Sequence, residues 1–437
     1  MSLREYLNEK DAEGSLIRIK EELSTEYEIP AIIKKYDRDA TILFENLEDS
    51  KHSVVANVCN SRNTLCKSLN ITHDKLYEHL YKEIENPKPC KIIDDPISRN
   101  KLSLDKLPVL THYKGEQGPY ITAGLVYAKN PTGEGGNVSY HRIDVLSPDR
   151  ASISIQPGHL KEYIKEAKES DTSHFDISIS IGNHPATMIA AALRPPKNVS
   201  EYSVANTLLD NKLDLIKCPN VDALAPSHSE CIIEAKLMLQ QTAVEGPYIC
   251  VTGTMKESKE MPVIQVVDVI TREDYIYQGL LGGGSEHRLL ESIPNEVKLW
   301  RRITNIGYKV RGINMTPNGS SWLHGVISYN KKTENDNEKI LEAAIEEVPA
   351  LKHLVLVDTD IDPNNLNEVE WALATRFQGD RDLIKKPYTY ASRLDPSSDL
   401  ENKRGCKLCF DATIPIDEHR EKYMKGIIPV SERVKKI

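Results

Sequence analysis

The feature that most narrows the fold is a run of short, alternating, strand-like segments between residues about 105 and 290. Candidates are 121–128, 138–146, 151–155, 175–181, 248–254 and 263–271. Turn-forming clusters separate them: Pro131-Thr132-Gly133-Glu134-Gly135-Gly136, Ser147-Pro148-Asp149-Arg150 and 256–259. Short strands punctuated this way point to a barrel or a sandwich. Two helices interrupt the run. One spans 159–169, with Leu160, Tyr163, Ile164 and Ala167 on one face; the other spans 185–193 and opens on Pro185, a residue favoured in a first turn. The apolar strip 231–239 fits a strand or a helix.

The flanks read differently. Residues 3–9 and 73–85 are expected to be amphipathic helices, with strands at 41–44 and 53–58. This small α/β part ends in a proline-spaced linker from Pro87 to Pro96. Beyond Ser285 a helix to about Leu290 leads to Pro294, then a second helix to about Ile306. Helices at 338–348 and 367–376 flank a buried strand at 353–357. A chain of 437 residues exceeds what one core supports. The expected class is α+β: an N-terminal α/β segment (1–104), a strand-rich domain (105–295) and a C-terminal α/β domain with a connecting helix (296–437).

Composition excludes some functions. A net charge of −9 disfavours non-specific nucleic-acid binding, and 6% aromatics leave little for base stacking. No window supplies the ~18–20 apolar residues of a membrane span. The charged start Met1-Ser2-Leu3-Arg4-Glu5-Tyr6 does not read as a signal peptide, so a cytoplasmic protein is expected. Eight scattered cysteines imply reduced thiols rather than a disulfide framework.

Chemistry-bearing residues cluster between Asn137 and Glu245. An amide oxygen, an imidazole and a carboxylate from Asn137, His159 and Glu201 are able to ligate one cation. Arg142 and Glu245 are able to form a charge-assisted pair. Each has an ordinary reading too: a turn Asn, a surface Arg, a helix-start His and a first-turn Glu. Asn137 and Arg142 are five apart, so a strand end or bulge is needed for both to serve one site. Glu245-Gly246-Pro247-Tyr248 is either a rigid turn that fixes an acid or a plain loop before a strand. Gly282-Gly283-Gly284 lacks phosphate-loop spacing and reads as a hinge. Cys406 and Cys409, on a strand, point to opposite faces and suit neither zinc nor a disulfide. Asp358, Asp360 and Asp362 resemble a calcium loop only superficially.

These pieces, in order, resemble the UbiD decarboxylases, which use prenylated FMN. The resemblance covers about residues 100–415. It is carried by Asn137 to Arg142, Gly182-Asn183-His184-Pro185-Ala186-Thr187, Leu193-Arg194-Pro195-Pro196, Ser200-Glu201-Tyr202, Glu245-Gly246-Pro247-Tyr248, Ile270-Thr271-Arg272-Glu273-Asp274, 370–376 and 405–413. It implies a flavin-binding split β-barrel, with the small N-terminal α/β part before it and a C-terminal α/β domain that dimerises. It implies that Asn137, His159 and Glu201 hold Mn2+ or another divalent metal, with K+ nearby, and that the metal anchors the cofactor phosphate. Asn137, Tyr140, His141, Arg142, His159 and Lys407 would then contact cofactor. Arg142 and Glu245 fall on the Arg and first Glu of the family's catalytic Glu-Arg-Glu set.

The third catalytic position departs. Five residues after Glu245 the family has Glu or Asp, and this chain has Cys250. A thiol is a different acid, of free pKa ~8.5; Glu286 or His287 is an alternative donor. The implied substrate is an α,β-unsaturated acid. The leaning is to trans-anhydromevalonate 5-phosphate, giving isopentenyl phosphate in an archaeal mevalonate pathway, with a polyprenyl-4-hydroxybenzoate of quinone synthesis as the alternative. Implied partners are that small acid, a flavin prenyltransferase that supplies cofactor, and a second copy of the chain. Two other classes stay open: a flavin-binding protein without lyase activity, and a redox protein using Cys406 and Cys409.

Overall fold

The computed structural model describes residues 1–133, 135–169, 172–426 and 428–429. The chain divides into two compact units, Met1–Val297 and Lys298–Ile437.

In the first unit, a four-stranded sheet has the order Leu16–Leu23, Thr41–Leu47, Ser53–Ala56, Ile276–Gln278. Its last strand comes from the far end of the strand-rich region. The small sheet shares one core with the large one: Phe44 and Val54 are buried in the same cluster as Ile177, Ile233 and Ile264. Helices Leu3–Ala12 and Leu76–Glu85 lie where the apolar spacing places them. The strand Leu16–Leu23 and the helices Glu28–Lys35 and Arg62–Ser68 escape the sequence reading. Leu16–Leu23 is exposed or half-buried along its length, so no apolar face marks it.

The large sheet has nine strands. Along its main path the order is Tyr120–Ile121, Ile143–Ser147, Arg150–Ile153, Lys259–Arg272, Cys231–Glu245, His174–Ile181, Leu125–Lys129, Gly136–Tyr140. Arg99–Leu102 pairs to one side, with Lys259–Arg272. Every pairing in this sheet is antiparallel. Its topology forces it to curl. Gly136–Tyr140 closes one end of the path, and Ile143–Ser147 is second from the other end. Only His141 and Arg142 join them, and two residues span little more than ~10 Å. The two ends of the sheet therefore approach each other, and Arg142 sits at the seam.

The ambiguous strip at 231 is a strand that runs on to Glu245. The expected strand 138–146 breaks at His141-Arg142, and 121–128 breaks after Ile121. The expected strand 248–254 is cut to Tyr248–Ile249, because the chain turns back and the Cys250 amide donates to Thr254 O at 3.1 Å. One helix, Ser285–Asn305, replaces the two expected around Pro294. Ile293 and Val297 beside the proline are buried, and that packing offsets the lost helical hydrogen bond.

The second unit carries a five-stranded sheet: Val310–Met315, His324–Tyr329, His353–Asp358, Arg404–Ala412, Leu383–Tyr390. Its three central strands are parallel and its outer pairs antiparallel. Helices Asp336–Glu347 and Leu366–Arg376 follow the apolar spacing. Asp358 and Asp360 are taken up by the buried guanidinium of Arg376, at 3.1 and 2.6 Å, so they are structural and not a calcium loop. Among the described residues, no helix is long and apolar enough to cross a membrane.

Candidate active site

Arg142 reaches the seam because the strand before it stops at Tyr140, which meets the strand-end condition set by the spacing. Its Nε donates to Glu245 Oε1 at 2.6 Å and its Nη2 to Oε2 at 2.7 Å. The Glu245 side chain is 1% exposed and that of Arg142 22%, so the pair is buried with one edge open. Such a two-bond fork fixes both groups in orientation as well as charge. Glu245 ends its strand, and Gly246 follows with φ of +96°, a conformation that favours glycine. The guanidinium lies over the Tyr248 ring, 4.7 Å from its centre.

The strand Gly136–Tyr140 carries a second constellation. His141 Nδ1 lies 3.1 Å from the Ser154 carbonyl, which only accepts, so Nδ1 carries the proton. Burial holds this imidazole down at about 4, so it is neutral and Nε2 is an acceptor. Ser139 Oγ, 2.9 Å away, donates to it and accepts in turn from Asn137 Nδ2 at 2.9 Å. The chain of bonds orients the Asn137 amide and turns its carbonyl oxygen away from Ser139. Glu201 begins the helix Glu201–Leu208, and its Oε2 accepts the Val138 amide at 2.8 Å, which brings it beside Asn137. Burial raises its carboxyl to about 8. A buried carboxyl at that value, next to an oriented amide, fits a cation that would displace its proton. His159 opens the helix His159–Glu169 and is half-buried. Tyr140 turns the other way; its phenol lies near Glu286 and Cys59, and burial raises it well above its ordinary value. Lys407 belongs to the second unit. There its ammonium donates to the carbonyls of Pro349 and Leu351, and burial lowers it to about 8.

Cys250 is buried in the turn after Tyr248–Ile249. Its Sγ is 2.6 Å from Thr252 Oγ1 and 3.7 Å from Thr254 Oγ1. The glycine run packs against this turn and is not an open hinge: a Cβ on Gly282 would stand 2.5 Å from the Tyr248 hydroxyl. His287 Nδ1 accepts the Gly283 amide at 3.0 Å, so a neutral ring keeps its proton on Nε2. Burial lowers its pKa, and the charges of Arg288 and Arg142 lower it further. Cys406 and Cys409 share the strand Arg404–Ala412, and all eight thiols are free.

Glu286 faces away from this chemistry. Its Oε1 accepts the Cys59 amide at 2.6 Å, and burial raises its carboxyl from 4.5 to about 7. A folded pKa above the unfolded one means that stability falls as pH rises through that window. The difference in Tm between Glu286→Gln and wild type, measured without cofactor, is therefore expected to shift in favour of Gln from about pH 4.5 to about pH 7 and then to level off.

Three neighbours of the pair were missed or left without a role in the sequence reading: Tyr120, Asp144 and Tyr248. Arg142 and Asp144 are two apart, and period-two alternation is the signal that puts them on one face.

Comparison with known proteins identifies the class. The description "3-octaprenyl-4-hydroxybenzoate carboxy-lyase" matches as an N-terminal domain over residues 7–84, a Rift-related domain over 82–285 and a C-terminal domain over 288–412. The chain belongs to the UbiD family. It is 35% identical to the anhydromevalonate phosphate decarboxylase of Methanothermobacter thermautotrophicus, over 95% of this chain and 97% of that protein. It is 32% identical to the enzyme of that name from Aeropyrum pernix, over 93% of this chain and 92% of the other. Among solved structures, it matches the UbiD-class enzyme HmfF from Pelotomaculum thermopropionicum in complex with FMN. The TM-score is 0.95 and the identity 32%, over 100% of this chain and 99% of HmfF.

Proposed function

We propose that this chain is a carboxy-lyase that uses prenylated FMN to decarboxylate trans-anhydromevalonate 5-phosphate, releasing CO2 and leaving isopentenyl phosphate. The observation that carries the reading is the buried two-bond pair of Arg142 and Glu245 at the seam of the sheet. It stands in a chain similar end to end to archaeal decarboxylases of that name. When bound, the flavin supplies the electron sink that C–CO2 cleavage requires and that no side chain offers. Asn137, His159 and Glu201 would hold a divalent cation such as Mn2+, with K+ nearby, for its phosphate. In this reading the curled sheet is the flavin-binding split barrel, and a flavin prenyltransferase supplies the cofactor. A homo-oligomer is the proposed assembly, since an evolved form of HmfF is dimeric.

Glu245 stays fixed because both its oxygens are held by Arg142, and the exposed edge of the guanidinium is left to orient the substrate carboxylate. Cys250 stands where the family has a carboxylic acid, and its thiol, with the two threonine hydroxyls, keeps proton-bearing groups there. Cys250→Ala is expected to lower single-turnover CO2 release by roughly 10²-fold, and Cys250→Ser by less than about tenfold. The deciding experiment offers trans-anhydromevalonate 5-phosphate and a polyprenyl-4-hydroxybenzoate to enzyme from cells that make prenylated FMN. Turnover of the phosphorylated acid alone is expected. Turnover of the aromatic acid alone would overturn the substrate, and a coloured protein that releases no CO2 would favour flavin binding without lyase activity.

A further inference from the structure

Behind Glu245 lies a carboxyl for which neither the metal site nor the Arg142–Glu245 pair has a use. Asp144 and Tyr120 are cross-strand partners on Ile143–Ser147 and Tyr120–Ile121, so their side chains share a face. Both are buried, at 1% and 0% exposed. Asp144 Oδ2 and the Tyr120 hydroxyl close no hydrogen bond of good geometry with any described residue, although the hydroxyl lies near enough to Asp144 to favour its charge. Tyr120 also packs on Tyr248, with ring centres 4.7 Å apart, and Tyr248 lies under the Arg142 guanidinium. Two packed aromatic rings thus cover one side of Asp144 and of the ion pair, and leave the outer edge of the guanidinium open.

We infer that Asp144 is a positioning residue of the active site: it holds a proton beside the Arg142–Glu245 pair, so that one guanidinium faces one carboxylate charge and not two. The inference rests on the decarboxylase reading only for what the pair is used for. An unpartnered buried carboxylate is costly, and the neutral acid is the form such a place keeps. Four groups face Asp144. Glu245 and Glu116 repel its charge, while Arg142 and the Tyr120 hydroxyl favour it. Burial and the Glu245 charge win, and the carboxyl is raised to about 7. Two Arg142 donors are already committed to Glu245. As pH rises through about 7, Asp144 ionises and a second anion competes for the same guanidinium. The fork loosens, and activity acquires an alkaline limb.

The test has a readout that needs neither cofactor nor turnover. Carboxyl 13C NMR of the apo protein, labelled at aspartate, is expected to show Asp358 raised by its burial and one further carboxyl that titrates at least about two units above the free value. That resonance should vanish in Asp144→Asn. It should move down by about one unit or more in Glu245→Gln, which removes the repelling charge. It should move up in Tyr120→Phe, which keeps the packing and removes the hydroxyl. In loaded enzyme, Asp144→Asn should move the alkaline limb of turnover up by at least about one pH unit, since the amide does not ionise. Aspartates that all titrate in the ordinary range would overturn the inference. So would an Asp144→Asn spectrum that loses no raised resonance, or a lost resonance that ignores Glu245→Gln. Wild-type enzyme inactive on every acid offered would sink the decarboxylase reading instead, with the apo titration still deciding where the proton sits.

Discussion

Arg142→Ala and Glu245→Gln enzymes, each carrying matured cofactor, are expected to lose roughly 10²–10⁴ in decarboxylation rate. The two substitutions fail for different reasons. Arg142→Ala leaves Glu245 buried without its counter-charge, so its Tm falls along with its activity. Glu245→Gln keeps the shape and one acceptor but gives up the charge, so the loss falls mainly on turnover. Arg142→Lys is expected to resemble the alanine variant in rate, because an ammonium cannot make the two parallel bonds seen at 2.6 and 2.7 Å. Single-turnover CO2 release, with cofactor content checked by absorbance, measures each. Near-wild-type rates in both Arg142→Ala and Glu245→Gln would remove these residues from the reaction.

Much of this arrangement was legible in the chain, because it follows from local pattern. The helices at 159–169 and 185–193 are read from apolar spacing and a first-turn proline, and the structure has both, the second ending at Ala192. The requirement for a strand end between Asn137 and Arg142 is simple geometry, and the break at His141-Arg142 supplies it. What escaped depends on long-range contact. Leu16–Leu23 has no buried face to announce it. The glycines at 282–284 read as a hinge because the Tyr248 ring that crowds Gly282 is far off in sequence. Glu286 was set beside Cys250 as a candidate acid, yet its carboxylate is turned onto the Cys59 amide, a contact 227 residues away in the chain. Asp144 lay in view, two residues past Arg142. Only the pairing with Tyr120 shows that its face is the covered one.

Removing the Glu201 carboxylate should be nearly as damaging as breaking the ion pair, by a different route. In the apo protein this carboxyl is buried and raised to about 8, so near neutral pH it is largely protonated. A divalent cation must displace that proton, and metal affinity is therefore expected to climb with pH until about 8 and then flatten. Wild-type protein titrated with Mn2+ should gain stability by linkage, about 2.7 kcal/mol at a hundredfold excess over Kd. In Glu201→Ala that gain should shrink to near nothing. Loss of a supporting partner alone costs a metal site about 10–100-fold, and loss of a direct ligand should exceed that. If the cation anchors the flavin phosphate, the variant should also emerge from gel filtration without its visible absorbance, although its sheet is intact. A Glu201→Ala protein that keeps both the Mn2+ stabilisation and the bound chromophore would mean that the metal sits elsewhere. The oriented Asn137 amide would then be a structural bond between neighbouring side chains and nothing more.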